Sequence, residues 1–217
     1  YARMHFTALR NALDDEAPIP FEETVVFQDE LLVVVDKPHF LPVTPGGRYL
    51  QETLMVRLKR KLGVDTLNPI HRIDRETAGL VVFAVQAHTR AAYHTLFAER
   101  RVHKVYEAIA PFRADLPLPC DYRCRLEDSP HFMQMQVVSG APNSETRLEC
   151  LAHAHGLAHY RLMPVSGKRH QLRVHLAALG LPICFDRIYP TLLPENTDDY
   201  ARPLQLLAKQ IAFVDPV

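Results

Sequence analysis

Met133-Gln-Met-Gln-Val-Val138, Thr146-Arg-Leu-Glu-Cys-Leu151 and His159-Tyr-Arg-Leu-Met163 are three short runs of strand-forming residues, set apart by Ser139-Gly140-Ala141-Pro142-Asn143 and by Gly156. Successive strands joined by short turns pair antiparallel, because a parallel neighbour needs a crossover of a dozen residues or more. Outward from this cluster, residues 104–109 read as another strand ended by Pro111, and residues 80–85 as a buried one. Residues 24–27 and 31–36 read as a hairpin across Gln28-Asp29-Glu30. Leu50, Leu54, Leu58 and Leu62 recur every four residues before Gly63, which predicts an amphipathic helix with a glycine stop and a basic outer face. Residues 89–100 predict a second helix with Thr89 as N-cap, and residues 171–179 a third, with Leu172, Leu176 and Leu179 at helical spacing and Gly180 at its end. Three prolines and two glycines make residues 38–47 a loop. Clustered strands with few helices, without strict β-α alternation, predict an α+β fold: a mostly antiparallel, mixed central sheet flanked by helices and loops. Residues 1–23 read as an N-terminal tail or the remnant of a preceding segment, and 24–217 as one domain.

At 217 residues, 47% hydrophobic and 23% charged, the chain is long enough to bury a substantial core. No apolar run approaches the roughly 20 residues of a membrane-spanning helix. No basic segment followed by an apolar stretch opens the sequence, so the expected compartment is the cytoplasm. A formal net charge of zero argues against a protein that coats nucleic acid through charge alone. The basic residues nevertheless bunch in Arg57-Leu-Lys59-Arg60-Lys61, Arg100-Arg101-Val-His-Lys104 and Lys168-Arg169-His-Gln-Leu-Arg173. Cys120 and Cys124 form a C-x3-C pair without a second pair nearby, and with Cys150 and Cys184 they read as free thiols. His153, His155 and His159 lack a completing ligand, so no metal is expected.

Three segments concentrate polar residues in apolar surroundings. In His71-Arg72-Ile73-Asp74-Arg75-Glu76-Thr77-Ala78-Gly79, Asp74 taken alone reads as a turn or capping residue. Lys104-Val105-Tyr106 places Lys104 and Tyr106 on one face of a strand, where a tyrosine fills a core as readily as it binds a ligand. Ser166-Gly167-Lys168-Arg169-His170-Gln171-Leu172-Arg173-Val174-His175-Leu176 runs from a glycine turn into an embedded helix, and an embedded Arg173 requires an anionic partner.

Together these segments resemble the pseudouridine synthases related to ribosomal large-subunit synthase A. That family's pattern runs His-Arg-Leu-Asp, two variable residues, then Thr-Ser-Gly, and this chain departs from it at Ile73 and Ala78 only. Lys104-Val105-Tyr106 matches a Lys-x-Tyr element, and residues 167–175 follow Gly-Arg-x-His-Gln-Ile/Leu-Arg-x-His with Lys168 for arginine. Asp36-Lys37-Pro38 and the Gly46-Gly47 loop are similar as well. The Gly-Asp-x-x-Tyr-Gly element expected after the helix reads Phe185-Asp186-Arg187-Ile188-Tyr189-Pro190 and departs at both glycines.

The resemblance spans residues from about 24 to about 189 and implies a pseudouridine synthase fold, with 24–217 as the catalytic domain of an isomerase that needs no cofactor or metal. It makes Asp74 the essential carboxylate, attacking ribose C1′ or uracil C6, with Arg173 as its ionic partner and Tyr106 against the uracil. Leu176 is the expected apolar wall of the pocket, and Arg72 the residue that fills the place of a flipped-out base. His71, Lys104, Lys168, Arg169 and His170 are the further expected RNA contacts. The implied partner is structured RNA, ribosomal ahead of transfer RNA, bound by a monomer; the segment before Thr24 is too short for the separate RNA-binding domain that some members carry, which was either removed or is not needed by this chain. Two rivals remain at this level. A nucleoside or glycoside hydrolase would pair Asp74 with Glu76 as proton donor, and a non-catalytic RNA-binding module would have no use for Asp74.

Overall fold

The computed structural model describes residues 16–194 and 198–217. The described residues divide into two compact units, one comprising those up to His94 with residues 216–217, the other those from Thr95 to Asp215.

The first unit contains β1 (Thr24–Gln28), β2 (Leu32–Lys37), α1 (Leu54–Leu62), β3 (Asn68–Pro69) and β4 (Ala78–Ala84). β2 pairs antiparallel with β1 on one side and with β4 on the other, so that Val35 lies opposite both Val25 and Val81; β3 also pairs with β4. Asp29 Oδ1 accepts the N–H groups of Leu31 (2.8 Å) and Leu32 (2.7 Å), which closes the hairpin across residues 29–31, one residue later than the spacing predicts. Alternate residues Val33 and Val35 of β2, and Val81 and Phe83 of β4, pack with Leu54 and Leu58 of α1 in one buried cluster.

Helix α1 starts at Leu54, not at Leu50. Thr53 is its N-cap, and the preceding N–H groups of Leu50, Gln51 and Glu52 all donate to the Glu16 carboxylate at 2.8–2.9 Å. The helix ends as expected at Gly63, which takes φ 67 and donates its N–H to Lys59 O. Arg57 turns back to donate to Phe21 O (2.6 Å) and Ile19 O (2.8 Å), pairs with Glu52, and lies 3.5 Å from Glu23. Residues 16–23 are therefore strapped to α1, with Ile19 buried in the cluster above. Part of the basic outer face expected of this helix is consumed inside the fold.

The second unit contains β5 (His103–Pro111), β6 (Cys120–Asp128), β7 (Met135–Val138), β8 (Ser144–Ala154), β9 (Leu157–Pro164), α3 (Gln171–Ala178) and β10 (Leu206–Ala212). The division between units falls within α2 (Arg90–Ala98). The strand order is β10-β5-β9-β8-β6-β7, with each pair antiparallel. This is the α+β class expected from the clustered strands. β6 escapes a reading based on apolar content, because its buried positions Cys124 and Leu126 alternate with Arg123, Arg125 and Glu127. Leu148, Tyr160, Leu162, Leu172, Leu176, Leu181 and Leu206 form the core of this unit. Thr89 does not cap α2. It ends a single 3₁₀ turn, Ala87–Thr89, and its hydroxyl donates to Gln86 O at 3.0 Å, so the backbone donors at the start of α2 gain nothing from it. Among the described residues no helix is long and apolar enough to cross a membrane.

Leu58 is wholly buried, whereas Arg60, two residues on, is exposed. Leu58→Ala is expected to lower unfolding free energy by about 2–5 kcal/mol in urea denaturation, and Arg60→Ala by no more than about 0.5 kcal/mol.

Candidate active site

Asp74 lies in the loop that leads into β4, and side chains from the end of β2 and the segment after it hold that loop by its carbonyls. Lys37, the wholly buried last residue of β2, donates to Pro38 O (2.8 Å), Leu41 O (2.8 Å) and Arg75 O (3.0 Å), one acceptor for each ammonium proton. His39 Nδ1 donates to Glu76 O at 2.6 Å. The Arg75 guanidinium covers the rings of Phe40 (5.7 Å) and Tyr49 (5.1 Å) and pairs with Glu76 at 3.1 Å. Thr77 N–H closes a turn onto Asp74 O (3.1 Å), and Val82 N–H donates to His71 Nε2 (3.1 Å). The backbone on both sides of Asp74 is thus fixed, while Asp74 is half-buried and Arg72 exposed. His71, expected as an RNA contact, gives one ring nitrogen to its own fold.

Burial pushes the Lys37 ammonium from its usual 10.5 down to about 7, against the pull of the Glu76 and Asp74 carboxylates. Burial also lowers His39, which keeps the ring neutral at pH 7 with its proton on the nitrogen that faces Glu76 O.

In the second unit α3 is embedded from Gln171 to Leu176. Arg173, with 1% of its side chain exposed, meets an equally buried Asp186 in a fork: Nε to Oδ2 at 2.8 Å and Nη2 to Oδ1 at 2.7 Å. Asp186 Oδ1 also accepts the N–H groups of Ile188 (2.8 Å) and Tyr189 (3.1 Å), and the guanidinium sits over the Tyr189 ring at 5.6 Å. An anionic partner demanded by burying Arg173 is therefore Asp186, a residue noted in the sequence only as part of a departing motif.

The approach to α3 is held as firmly. Gln171 Oε1 accepts Ser166 Oγ–H (2.7 Å) and Lys168 N–H (3.1 Å), and its Nε2 donates to Glu145 O (2.9 Å) and Thr146 Oγ1 (3.0 Å). Lys104 Nζ donates to Ser166 O at 3.0 Å, and burial lowers its pKa. Tyr106, two residues along β5, is half-buried between Leu162 of β9 and Ala208 of β10. His170 Nδ1 lies 2.9 Å from the Tyr189 hydroxyl. Arg169 is exposed and reaches Asp128 (2.8 Å), Phe132 O (3.0 Å) and Gln134 O (3.1 Å). Lys168 is exposed, whereas Leu176 is wholly buried in the core of this unit.

His71, Arg72 and Asp74 thus belong to the first unit, and Lys104, Tyr106, Lys168, Arg169, His170, Arg173 and Leu176 to the second. The sequence reading left Lys37, His39 and Asp186 without roles; Asp36-Lys37-Pro38 and the aspartate of Phe185-Asp186 were the available signals. It also passed over His175, whose pKa burial pushes down to about 4 and whose Nε2 lies 2.9 Å from Ser144 Oγ. Among the described residues no group of three or more His, Cys, Asp or Glu could hold a metal ion. His159 instead engages Glu107 (3.2 Å), and His153 stacks on Phe112 at 3.9 Å.

Residues 31–178 match the profile of the family described as RNA pseudouridylate synthase. The chain is 31% identical over 208 residues to a dual-specificity RNA pseudouridine synthase of Pasteurella multocida, covering 89% of this chain and 87% of that protein. Its identity to the enzyme of the same name from Haemophilus influenzae is 32% over 180 residues, 76% of each. A solved structure of human RNA pseudouridylate synthase domain containing 1 aligns with a TM-score of 0.72 at 22% identity, over 89% of this chain and 79% of that one, and so shares the fold.

Two outcomes follow from the buried charges. The folded-state value of about 7 for Lys37 lies below its ordinary 10.5, so between those pH values the unfolded chain binds more protons and stability rises with pH; below pH 7 the penalty is fully present. Denaturation of wild type and Lys37→Met at several pH values should show the stability difference, wild type minus variant, climbing across that window. A flat difference would contradict the lowered pKa. Asp186→Asn, which leaves the Arg173 charge buried without its counter-charge in this unit, should lower unfolding free energy by about 3–5 kcal/mol.

Proposed function

The chain belongs to the RNA pseudouridylate synthase family, and from that premise we propose that it isomerises uridine to pseudouridine in structured RNA, ribosomal ahead of transfer RNA, with Asp74 as the attacking carboxylate. The match across residues 31–178 carries this reading, because it includes the Asp74 loop, the Lys104-Val105-Tyr106 strand and the whole of α3. In the reaction Asp74 adds to ribose C1′ or to uracil C6, the bond from uracil N1 to ribose C1′ breaks, the base turns, a bond from C5 to C1′ forms, and the bond to Asp74 breaks to return the carboxylate. The C5 proton leaves and N1 gains one, so atoms and electrons balance without an oxidant or a nucleotide.

The surroundings of each residue support its assigned part. Asp74 projects from a loop gripped at the carbonyls of Arg75 and Glu76, which limits the reorganisation needed to hold a nucleophile in place. Arg173 is the cation assigned to the reaction, and Asp186 orients its guanidinium from one side before any substrate arrives. Tyr106 is assigned to stack on the uracil, with its hydroxyl available for the C5 proton. Exposed Arg72 is assigned to the stack position that a flipped uridine vacates, a role that suits a planar guanidinium. Lys168 and Arg169 add salt-dependent backbone contacts. Glu76, the second carboxyl that a hydrolase would require, pairs with Arg75. The enzyme is taken to work as a monomer in the cytoplasm.

Incubation with transcribed ribosomal and transfer RNAs, followed by base-resolution mapping of pseudouridine, tests the proposal. Wild type is expected to install pseudouridine at discrete positions, and Asp74→Ala to lower the rate by about a thousandfold or more. Retention of wild-type activity by Asp74→Ala would remove the aspartate from the mechanism, and release of free uracil without pseudouridine would make the enzyme a hydrolase.

A further inference from the structure

Five non-glycine residues among those described take positive φ: Phe40 (66), Arg100 (56), His155 (52), His170 (52) and Phe185 (62). Two of them are phenylalanines, which lack the short polar side chain that eases Asn and Asp into this region. Phe40 is 2% exposed, with its ring 5.9 Å from Phe21 and the Arg75 guanidinium above it, so packing inside the chain offsets its strain. Phe185 has no such burial: 49% of it is exposed.

The backbone at Phe185 is imposed by its neighbours. Cys184 N–H donates to Ile109 O (2.9 Å), Cys184 O accepts from Gln205 N–H (3.0 Å), and Asp186 N–H donates to Ile183 O (3.1 Å). Asp186 is then committed to Arg173 and to the N–H groups of Ile188 and Tyr189. The left-handed turn at position 185 is thus part of the clamp on Arg173, and glycine would adopt it without strain. Glycine is also the residue that the resembling motif carries there. Burial within the chain accounts for a ring at position 40 and only partly for one at position 185, where a fixed loop displays an aromatic to solvent one residue from the carboxylate that orients Arg173.

We propose that Phe185 is a substrate contact, its ring stacking on an unpaired base beside the target uridine and so helping to select which RNA is modified. The inference rests on the pseudouridine synthase reading and adds to it a residue that senses the flanking nucleotide. Unpaired bases in RNA stack on aromatic side chains, and the contact tolerates different bases because each has a π-face. A ring on a loop already fixed by hydrogen bonds loses little freedom when it stacks, which favours it over a flexible side chain.

Steady-state kinetics on an RNA that the wild type modifies, with anisotropy measurements of affinity for the same RNA, test Phe185→Gly, Phe185→Leu and Phe185→Trp. Phe185→Gly and Phe185→Leu are each expected to raise KM and Kd about tenfold with kcat within about twofold of wild type, while Phe185→Trp stays within about threefold on all three. The Tm of Phe185→Gly is expected to equal or exceed that of wild type, since the strain is relieved. Unchanged KM in Phe185→Gly or in Phe185→Leu would overturn the inference, as would a loss confined to kcat. A fall of several degrees in the Tm of Phe185→Gly would also overturn it, by returning the ring to the protein's own packing. Each of these failures leaves the proposed function standing. Absence of pseudouridine from wild-type reactions would overturn both.

Discussion

A guanidinium taken almost wholly out of water needs a counter-charge and partners for its N–H groups, and the half of the second unit that surrounds α3 is organised to supply them to Arg173. Asp186 meets it in a fork, and the same carboxylate closes its own loop by accepting the N–H groups of Ile188 and Tyr189. Tyr189 lies against the guanidinium, and its hydroxyl accepts the N–H of Met135 and meets His170. The Gln134 amide reaches Ile188 O. The β6–β7 hairpin, the start of α3 and residues 185–190 are consequently tied together around one buried charge. The left-handed backbone at Phe185 is a consequence of that arrangement.

The first unit meets the same demand with a different cation. The Lys37 ammonium is surrounded by three carbonyls, one of them from the residue after Asp74, so a single buried donor sets the distance between the end of β2 and the loop ahead of β4. His39 adds a second grip one residue further on. Both cations that organise these segments are held largely by main-chain groups or by a carboxylate local to their unit. The loop that carries the half-buried Asp74 is held through the carbonyls of Arg75 and Glu76 as well as through the His71 and Arg75 side chains. The basic run of α1 shows the complementary case: Arg57, expected on a basic outer face, is the strap that holds residues 16–23.

Much of the strand framework was legible because short apolar, β-branched runs such as residues 31–35 and 80–85 stand out in the sequence. Turn residues such as Gly156 separate one strand from the next, and the structure shows that Val33, Val35, Val81 and Phe83 share the covered face. β6 was not legible, since its two deeply buried positions are a cysteine and a leucine among alternating charges. The helix caps were read from residue type and came out unevenly. Gly63 ends α1 as its freedom at positive φ requires, but Thr89 directs its hydroxyl to Gln86 O, and while Thr53 caps α1, the turn ahead of it is held by Glu16, distant in sequence and invisible to any local rule.

For the candidate site, sequence by itself determined the residue types, their order and the family they belong to: Asp74 in its motif, Tyr106 two residues after Lys104, and an arginine in an apolar helix that required an anion. Those are properties of short spans, and short spans are read directly. Only the tertiary structure decided that Asp186 meets Arg173 in a fork, that Lys37 and His39 hold the Asp74 loop by its backbone, that Leu176 lies in the core, and that Phe185 stands half in water at positive φ. Hydrogen-bond partners, burial and backbone strain depend on which distant segments the fold brings within about 3 Å of one another, and no residue carries that information in its own name.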